Sequence, residues 1–447
     1  MPLSYYLKTY TLAEAPGQRL LFSTRRTALA LLPEAEFAAV AQGQGSPRTL
    51  AQLASLGMVV PDLEQEQAEV HGFYAEQNRI SRTLTVALVL GMECNFACRY
   101  CYQGTLKGGQ AMSTATAEVA IAFIKGRFRP GMQRLQLNFY GGETLLYHQR
   151  LLSMARELQA FAEARGARFA FTVVSNGSLL TPRLVEQLTA RGMTGIKVTI
   201  DGPAANHNHF RPFKNGRPSY QTIVANLKAV SGLTTITLGG NFTQENYHLF
   251  PQLLDDLTAS GLGPERISRV SFAMVVAIND PFAAPGFHGG CTGSHEPWLV
   301  EATLLLRGAA MARGYKVAPL RPEVCAVEID DAFAINYDGS LYHCLPLAGR
   351  EQFKAGDVWQ GFGAPQANLH LDNWREQPDC PACPYLPLCH GGCRFTTYQR
   401  TGAMAGVDCQ REYFDCTLPE MLRQDLRYRH GLTVPSKSQS YVIPAGC

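Results

Sequence analysis

Between Thr83 and Gly314 strand-like runs alternate with segments of helical period, and no other feature of the chain narrows its possible folds as far. The runs are LTVALVLG, RLQLNFYGG, RFAFTVVSNG, GIKVTIDG, TTITLGGN and RVSFAMVVA. Between them lie segments such as TAEVAIAFIKGRF, LLSMARELQAFAEARG, PRLVEQLTARG and YQTIVANLKAV, whose apolar residues recur three and four apart. Strands that are each followed by a helix pair in parallel through right-handed crossovers, so six such units in sequence predict an α/β fold. In sheets of this kind functional residues gather at the carboxyl ends of the strands. With 447 residues, 46% of them hydrophobic and 17% charged, the chain has the length for two to four domains around large cores.

The first strand runs straight into GMECNFACRYCYQ, a Cys94-x3-Cys98-x2-Cys101 loop. The chain has 13 cysteines in all, none before Cys94. The N-terminus MPLSYYLKTYTLAEAP lacks the basic-then-apolar pattern of an export signal, and no apolar run approaches the roughly 18 residues of a membrane span. The expected compartment is therefore the cytoplasm, where thiols stay reduced and clustered cysteines mean metal ligation rather than disulfides. A net charge of +3 without a Lys/Arg run argues against a nucleic-acid partner. Three thiolates leave one iron of a 4Fe-4S cube without a protein ligand, whereas structural zinc is closed by four protein donors.

The cysteine loop resembles that of the radical S-adenosyl-L-methionine (SAM) superfamily, and so do the later strand ends: Gly141-Gly142-Glu143 after the second strand, Ser175-Asn176-Gly177 after the third, and Thr199-Ile200-Asp201-Gly202 after the fourth. The resemblance implies a partial (βα)6 TIM-like barrel and a 4Fe-4S cluster on Cys94, Cys98 and Cys101, with SAM on the open iron. It implies Tyr100 against the adenine, backbone approach at Gly141 and Gly142, Glu143 paired with the SAM ammonium, and Asn176, Thr199 and Arg211 near the ribose and carboxylate. Thr144 stands where many members have proline. His207 and His209 are expected as loop residues rather than ligands.

A second pattern lies downstream. Cys325-x13-Gly339-x4-Cys344 predicts a hairpin turning at Asp338-Gly339, and CPACPYLPLCHGGCR spaces Cys380, Cys383, Cys389 and Cys393 before Cys409 and Cys416. These motifs resemble the SPASM extension of radical SAM enzymes that modify peptides and proteins. The resemblance implies two auxiliary 4Fe-4S clusters, one on Cys325, Cys344 and Cys393, the other on Cys380, Cys383, Cys389 and Cys409. The first set is one ligand short. Cys291, Cys416 or a substrate thiolate could complete it, and the sequence leaves all three open. A pair of zinc ribbons is the plainer reading of the same cysteines. Cys447, the last residue, is expected to be a bystander.

Residues 1–80 hold two strand-like runs, SYYLKTYTL and QRLLFSTRR, then TALALLPEAEFAAVAQG and TLAQLASLGMVVP at helical spacing, then DLEQEQAEVHGFYAEQNR as one bridging helix. This resembles the winged-helix modules with which some maturases bind the leader of a ribosomally made peptide. The expected division is a leader-binding module at 1–80, a radical SAM partial barrel at 81–315 and a SPASM domain at 316–447, with the first module removable without harm to SAM cleavage. The expected function is oxidative modification of a precursor peptide, for example a cross-link at Cys, through a 5'-deoxyadenosyl radical, with flavodoxin or ferredoxin as electron donor. No catalytic side chain beyond the cluster is assigned. The competing enzyme is an anaerobic sulfatase maturase forming formylglycine, a family with a catalytic Asp after the Cys matching Cys344, where this chain has Leu345. A non-catalytic metal-binding scaffold for peptides is the alternative of another class.

Overall fold

The computed structural model describes residues 1–12, 15–322, 324–363 and 373–431; Cys447 lies outside them. Strands β1 (Leu7–Thr11), β2 (Gln18–Ser23) and β3 (Ala28–Pro33) form an antiparallel sheet of their own, with β3 at one end of the order. The helical reading of TALALLPEAEFAAVAQG fails over its first half, because ALALLP is strand β3 and the helix begins only at Glu34. Apolar residues on both faces of a strand mimic helical spacing, and β3 needs them: Leu29 and Leu31 pack on one core, Ala28 and Ala30 on another. The bridging segment is two helices, Leu63–His71 and Phe73–Ile80, broken at Gly72 and opened by Asp62, whose carboxylate accepts from the Glu64 and Gln65 N–H groups.

The six predicted parallel strands are all present: β4 (Thr83–Val89), β5 (Arg134–Tyr140), β6 (Arg168–Ser175), β7 (Met193–Thr199), β8 (Ile236–Phe242) and β9 (Arg269–Met274), paired in that order. Helices between them bury apolar stripes against the sheet, for example Leu151, Met154, Ala155 and Leu158 of the helix His148–Glu163. The helix Thr114–Arg127 begins at Ser113 and the helix Pro182–Thr189 at Thr181, each hydroxyl capping an N–H three residues on.

The sheet continues beyond β4 on its other side. β10 (Ala332–Ile335) lies parallel to β4, and β11 (Ser340–Tyr342), β12 (Gly356–Asp357) and β13 (Gly361–Phe362) extend it antiparallel, giving ten strands in one open sheet among the described residues. The hairpin expected at Asp338-Gly339 is β10–β11. The helices Pro297–Ala312 and Arg411–Arg429 pack together across a buried ion pair, Arg307 to Asp425 at 2.7 Å.

The N-terminal sheet does not stand apart. Tyr6, Leu20 and Phe22 share a core with Trp374, Tyr385, Leu386 and the Cys383 thiol. The Thr24 hydroxyl donates to Pro384 O at 2.6 Å, and the Tyr5 hydroxyl donates to Ala382 O. Removing residues 1–80 would therefore strip one wall from the Cys380–Cys389 region. No helix of the described residues is long and apolar enough to cross a membrane.

Candidate active site

The loop after β4 is held from two sides. Ala97 N–H donates to Pro212 O at 2.9 Å, Arg99 N–H to Phe210 O at 3.0 Å and Lys214 N–H to Asn95 O at 2.9 Å, so the segment HFRPFK lies along the cysteines as a clamp. From the other side, Gly142 N–H donates to Gly91 O at 3.0 Å and Glu143 N–H to Glu93 O at 2.8 Å. A Cβ on Gly141, whose φ is +148°, would stand 2.5 Å from Gly91 O, and one on Gly142 would stand 2.2 Å from Glu93 O. Both obstacles are backbone, so only glycine admits this approach.

The clamp and the strand ends enclose a cavity of about 400 Å³. Cys94, Cys98 and Cys101 line it with Tyr100, Gly141, Gly142, Asn176, Thr199 and Arg211, so every SAM-site residue expected from sequence reaches it except one. The exception is Glu143. Its side chain is fully buried, Oε1 accepting from Leu145 N–H at 3.0 Å and Ser175 Oγ at 2.8 Å, and Oε2 from Asn176 N–H at 2.6 Å. The structure turns the carboxylate between the ends of β5 and β6 rather than toward the cavity. Burial pushes its pKa up, against the three hydrogen bonds that pull it down.

Tyr100 is part of a network with no sequence signature. Its hydroxyl donates to Asp201 and accepts from Arg211 Nη1 at 2.8 Å and Asn241 Nδ2 at 2.9 Å, while Asn241 N–H donates to the other Asp201 oxygen at 2.8 Å. Burial raises the Asp201 carboxyl, and the charge of Arg211 opposes it. Arg211 Nε is buried with no partner among the described residues, an unsatisfied donor at the cavity wall suited to an anion. His207, expected in a loop, sits fully buried in the helix Ala204–Phe210. Its Nδ1 accepts from Asp201 N–H at 3.1 Å, which leaves Nε2–H to face Ser219 Oγ at 3.1 Å, and the Ser219 hydroxyl donates to Arg211 O at 2.6 Å. Asn176 spends its amide on Asn95 Oδ1 at 2.7 Å.

Two cavity lysines carry no sequence signal either. Lys197 on β7 is depressed by burial alone, and Lys107 faces the three cysteines. Burial raises Cys98 to about 11, with Arg211 and Lys107 pulling against it. Among the described residues no carboxylate or imidazole lines the cavity; Leu345, Pro346 and Phe395 close one side.

Among the described residues, no three His, Cys, Asp or Glu side chains gather tightly enough to hold one metal ion. The downstream cysteines fall into two neighbourhoods. Cys325, Cys344 and Cys393 act on one another electrostatically, with burial first raising Cys325 to about 11. Cys380, Cys383, Cys389 and Cys409 form the other set, in which burial raises Cys380 to about 11 and Cys389 to about 12. Cys291 is fully buried, its thiol donating to Gly293 O at 3.1 Å beside Glu296 and Asp408. Asp408 precedes Cys409, while Val276, bridged to Cys291, packs in one cluster with Cys325 and Cys344. Cys416 stands half-buried on the helix Arg411–Arg429.

A profile of the Radical SAM superfamily matches residues 88–257. The serine-type anaerobic sulfatase-maturating enzyme of Bacteroides thetaiotaomicron is 30% identical over 355 residues, 70% of this chain and 82% of that protein. Among solved structures, native anSMEcpe with bound AdoMet and Cp18Cys peptide superposes with a TM-score of 0.60 at 14% identity, covering 78% of this chain and 98% of that one. Streptococcus suis SuiB bound to precursor peptide SuiA superposes at 0.52 and 14% identity, covering 91% of this chain and 98% of that one.

Proposed function

The chain belongs to the radical SAM superfamily and works with a 4Fe-4S cluster and SAM; from that premise we propose that it is a maturase that oxidatively modifies a ribosomally made peptide bearing a leader. Cys94, Cys98 and Cys101 would hold the SAM-binding cluster, and the two downstream cysteine neighbourhoods the auxiliary ones. When bound, SAM and its cluster supply a 5'-deoxyadenosyl radical that removes a hydrogen atom from an unactivated carbon. The residues of this chain bind and orient. Gly141 and Gly142 let backbone polar groups stand against the ligand, Arg211 Nε offers a donor to the SAM carboxylate, and the Tyr100–Asp201–Asn241 network stiffens the wall. Met274, Leu345 and Phe395 keep water from the reacting carbon. A low-potential donor such as flavodoxin or ferredoxin would supply the electron.

The observation that carries the peptide reading is strand β3. It ends the order of the N-terminal sheet, so an extended peptide can add a fourth strand along it. The likeness in fold to a peptide-bound structure spanning 91% of this chain supports the same reading. A second reading, formylglycine formation, is favoured by the 30% identical relative. Leu345 weighs against it, as does the lack of a carboxylate among the described residues that line the cavity, since that oxidation needs a proton acceptor at the substrate.

The test uses the full chain, anaerobically reconstituted, because the N-terminal sheet is part of the downstream core. Three 4Fe-4S clusters correspond to about 12 iron per chain, and joint replacement of Cys94, Cys98 and Cys101 by Ala should remove about four together with all SAM cleavage. Precursor peptides encoded beside the gene, with and without leader, and Cys and Ser sulfatase peptides are then compared by mass spectrometry. A mass change confined to leader-bearing peptide is expected. Formylglycine on a sulfatase peptide, with the precursors untouched, hands the assignment to the second reading.

A further inference from the structure

Strand β7 alternates in the manner of a sheet with two different faces. Ile196 and Val198 are buried in the main apolar core, while Lys197 and Thr199 face the other side of the sheet, where both line the cavity. In the register Lys197 stands between Val174 of β6 and Thr237 of β8, so neither strand neighbour brings it a charge. Its stem crosses Gly239 of β8: a Cβ there would stand 2.8 Å from Lys197 Cε and 3.3 Å from Thr199 Oγ1. The missing side chain of Gly239 thus opens the space that the lysine occupies. Among the described residues three cations and no carboxylate line the cavity, namely Lys107, Lys197 and Arg211. Arg211 is bonded to the Tyr100 hydroxyl, which reaches Asp201, and Lys107 follows the turn Gly104–Leu106 that leaves the cysteine loop. Lys197 has no hydrogen bond or ion pair among the described residues, and burial depresses its pKa with no neighbouring charge acting on it. An ammonium taken from water is costly until a ligand restores the counter-charge.

We propose that Lys197 receives a carboxylate of the peptide substrate, so that the cavity selects peptides presenting an Asp or Glu side chain, or the C-terminal carboxylate, beside the reacting carbon. The inference rests on the maturase reading and names the substrate chemistry of that same cavity. Carboxylates are the groups that an unmodified peptide carries as anions at neutral pH. The carboxylate of SAM has its own donor in Arg211 Nε, which is buried without a partner. Met274, Leu345 and Phe395 line the same cavity, and with water excluded by them an ammonium–carboxylate pair is stronger than in solvent.

The measurement is the affinity of the reconstituted full chain for leader-bearing precursor peptides encoded beside the gene, read by calorimetry with SAM present and followed by mass spectrometry of the product. Each Asp and Glu of the segment after the leader is changed singly to Asn or Gln, and a further peptide carries a C-terminal amide, so that the two sources of carboxylate are told apart. One of these neutral peptides should bind the unaltered chain about tenfold or more weakly than its parent. With Lys197→Met that peptide and its parent should bind alike, the signature of a pair broken from either side. Lys197→Arg should keep the preference. If Lys197→Met fails to retain iron, Gly239→Ala, which crowds the lysine stem and leaves its charge, takes its place and should weaken the preference. Equal binding of the parent and every neutral peptide by the unaltered chain overturns the proposal. So does a loss in Lys197→Met that is the same for all peptides, or one matched by weakened SAM affinity without peptide, which would make Lys197 a partner of SAM. If no leader-bearing precursor binds at all, the maturase reading falls and this proposal with it, and the parent peptide's affinity tells the two failures apart.

Discussion

Replacing Glu143 by Ala separates two ways of using the Gly-Gly-Glu motif, and the structure supplies the magnitude. The carboxylate accepts three hydrogen bonds in a fully buried setting, two from the backbone N–H groups of Leu145 and Asn176 and one from Ser175 Oγ. Ala leaves the two N–H groups without partners, at about 1–3 kcal/mol each, while Ser175 can rotate toward another acceptor. Relief from burying a charge offsets part of this, so the net local cost is about 3–4 kcal/mol. Gln is no rescue, because its NH2 group must face one of two donors, which keeps about half of the loss. The assay is hydrogen exchange read by mass spectrometry over residues 143–146 and 175–178, alongside SAM affinity of the reconstituted chain. We expect protection at Leu145 and Asn176 to fall by about a hundredfold or more, as about 3 kcal/mol requires, with SAM affinity declining as a consequence of the loosened strand ends. Full protection at both amides combined with a lost SAM affinity would refute the reasoning, since the carboxylate would then be working on the ligand and not on the fold.

Gly142→Ala drives a methyl into Glu93 O and Met92 O, so the cysteine loop must shift; SAM cleavage should drop by more than about tenfold, measured as 5'-deoxyadenosine release, with downstream iron retained. Burial, with help from the Arg211 charge, holds His207 well below its ordinary pKa. The unfolded chain therefore takes up the proton first, and stability that is complete above about pH 6.5 is lost as pH falls below it, by at most about 1.4 kcal/mol per unit. The urea midpoint should drop between about pH 7 and about pH 5.5, and His207→Gln should flatten that part of the slope. Arg394 and Glu328 form an ion pair at 3.1 Å with both side chains buried, joining the turn after Cys325 to the helix after Cys393. Arg394→Met takes this partner from the buried carboxylate at about 3–5 kcal/mol, and should appear as lost iron from the Cys325, Cys344 and Cys393 site while the loop at Cys94 keeps its own.

Strands β4–β9 and the three cysteine groups are legible in the sequence because each is a local pattern: a short apolar run between helices, or thiols at ligand spacing. Neither pattern depends on what the chain meets elsewhere. β3 is not legible, since a strand apolar on both faces carries the same spacing as a buried helix, and only the second core behind it shows which one forms. The Tyr100 network draws on positions 100, 201, 211 and 241, which no spacing rule links, and Lys107 and Lys197 look like any surface lysine until the turn and the strand aim them inward. Glu143 is the sharpest case. Its presence at a strand end is written in the chain, but the direction of its carboxylate is set by the Asn176 amide that the end of β6 brings to 2.6 Å. Residue type and spacing thus declared the chemistry available to this protein, while packing between distant segments decided which groups face the cavity and which hold it in shape.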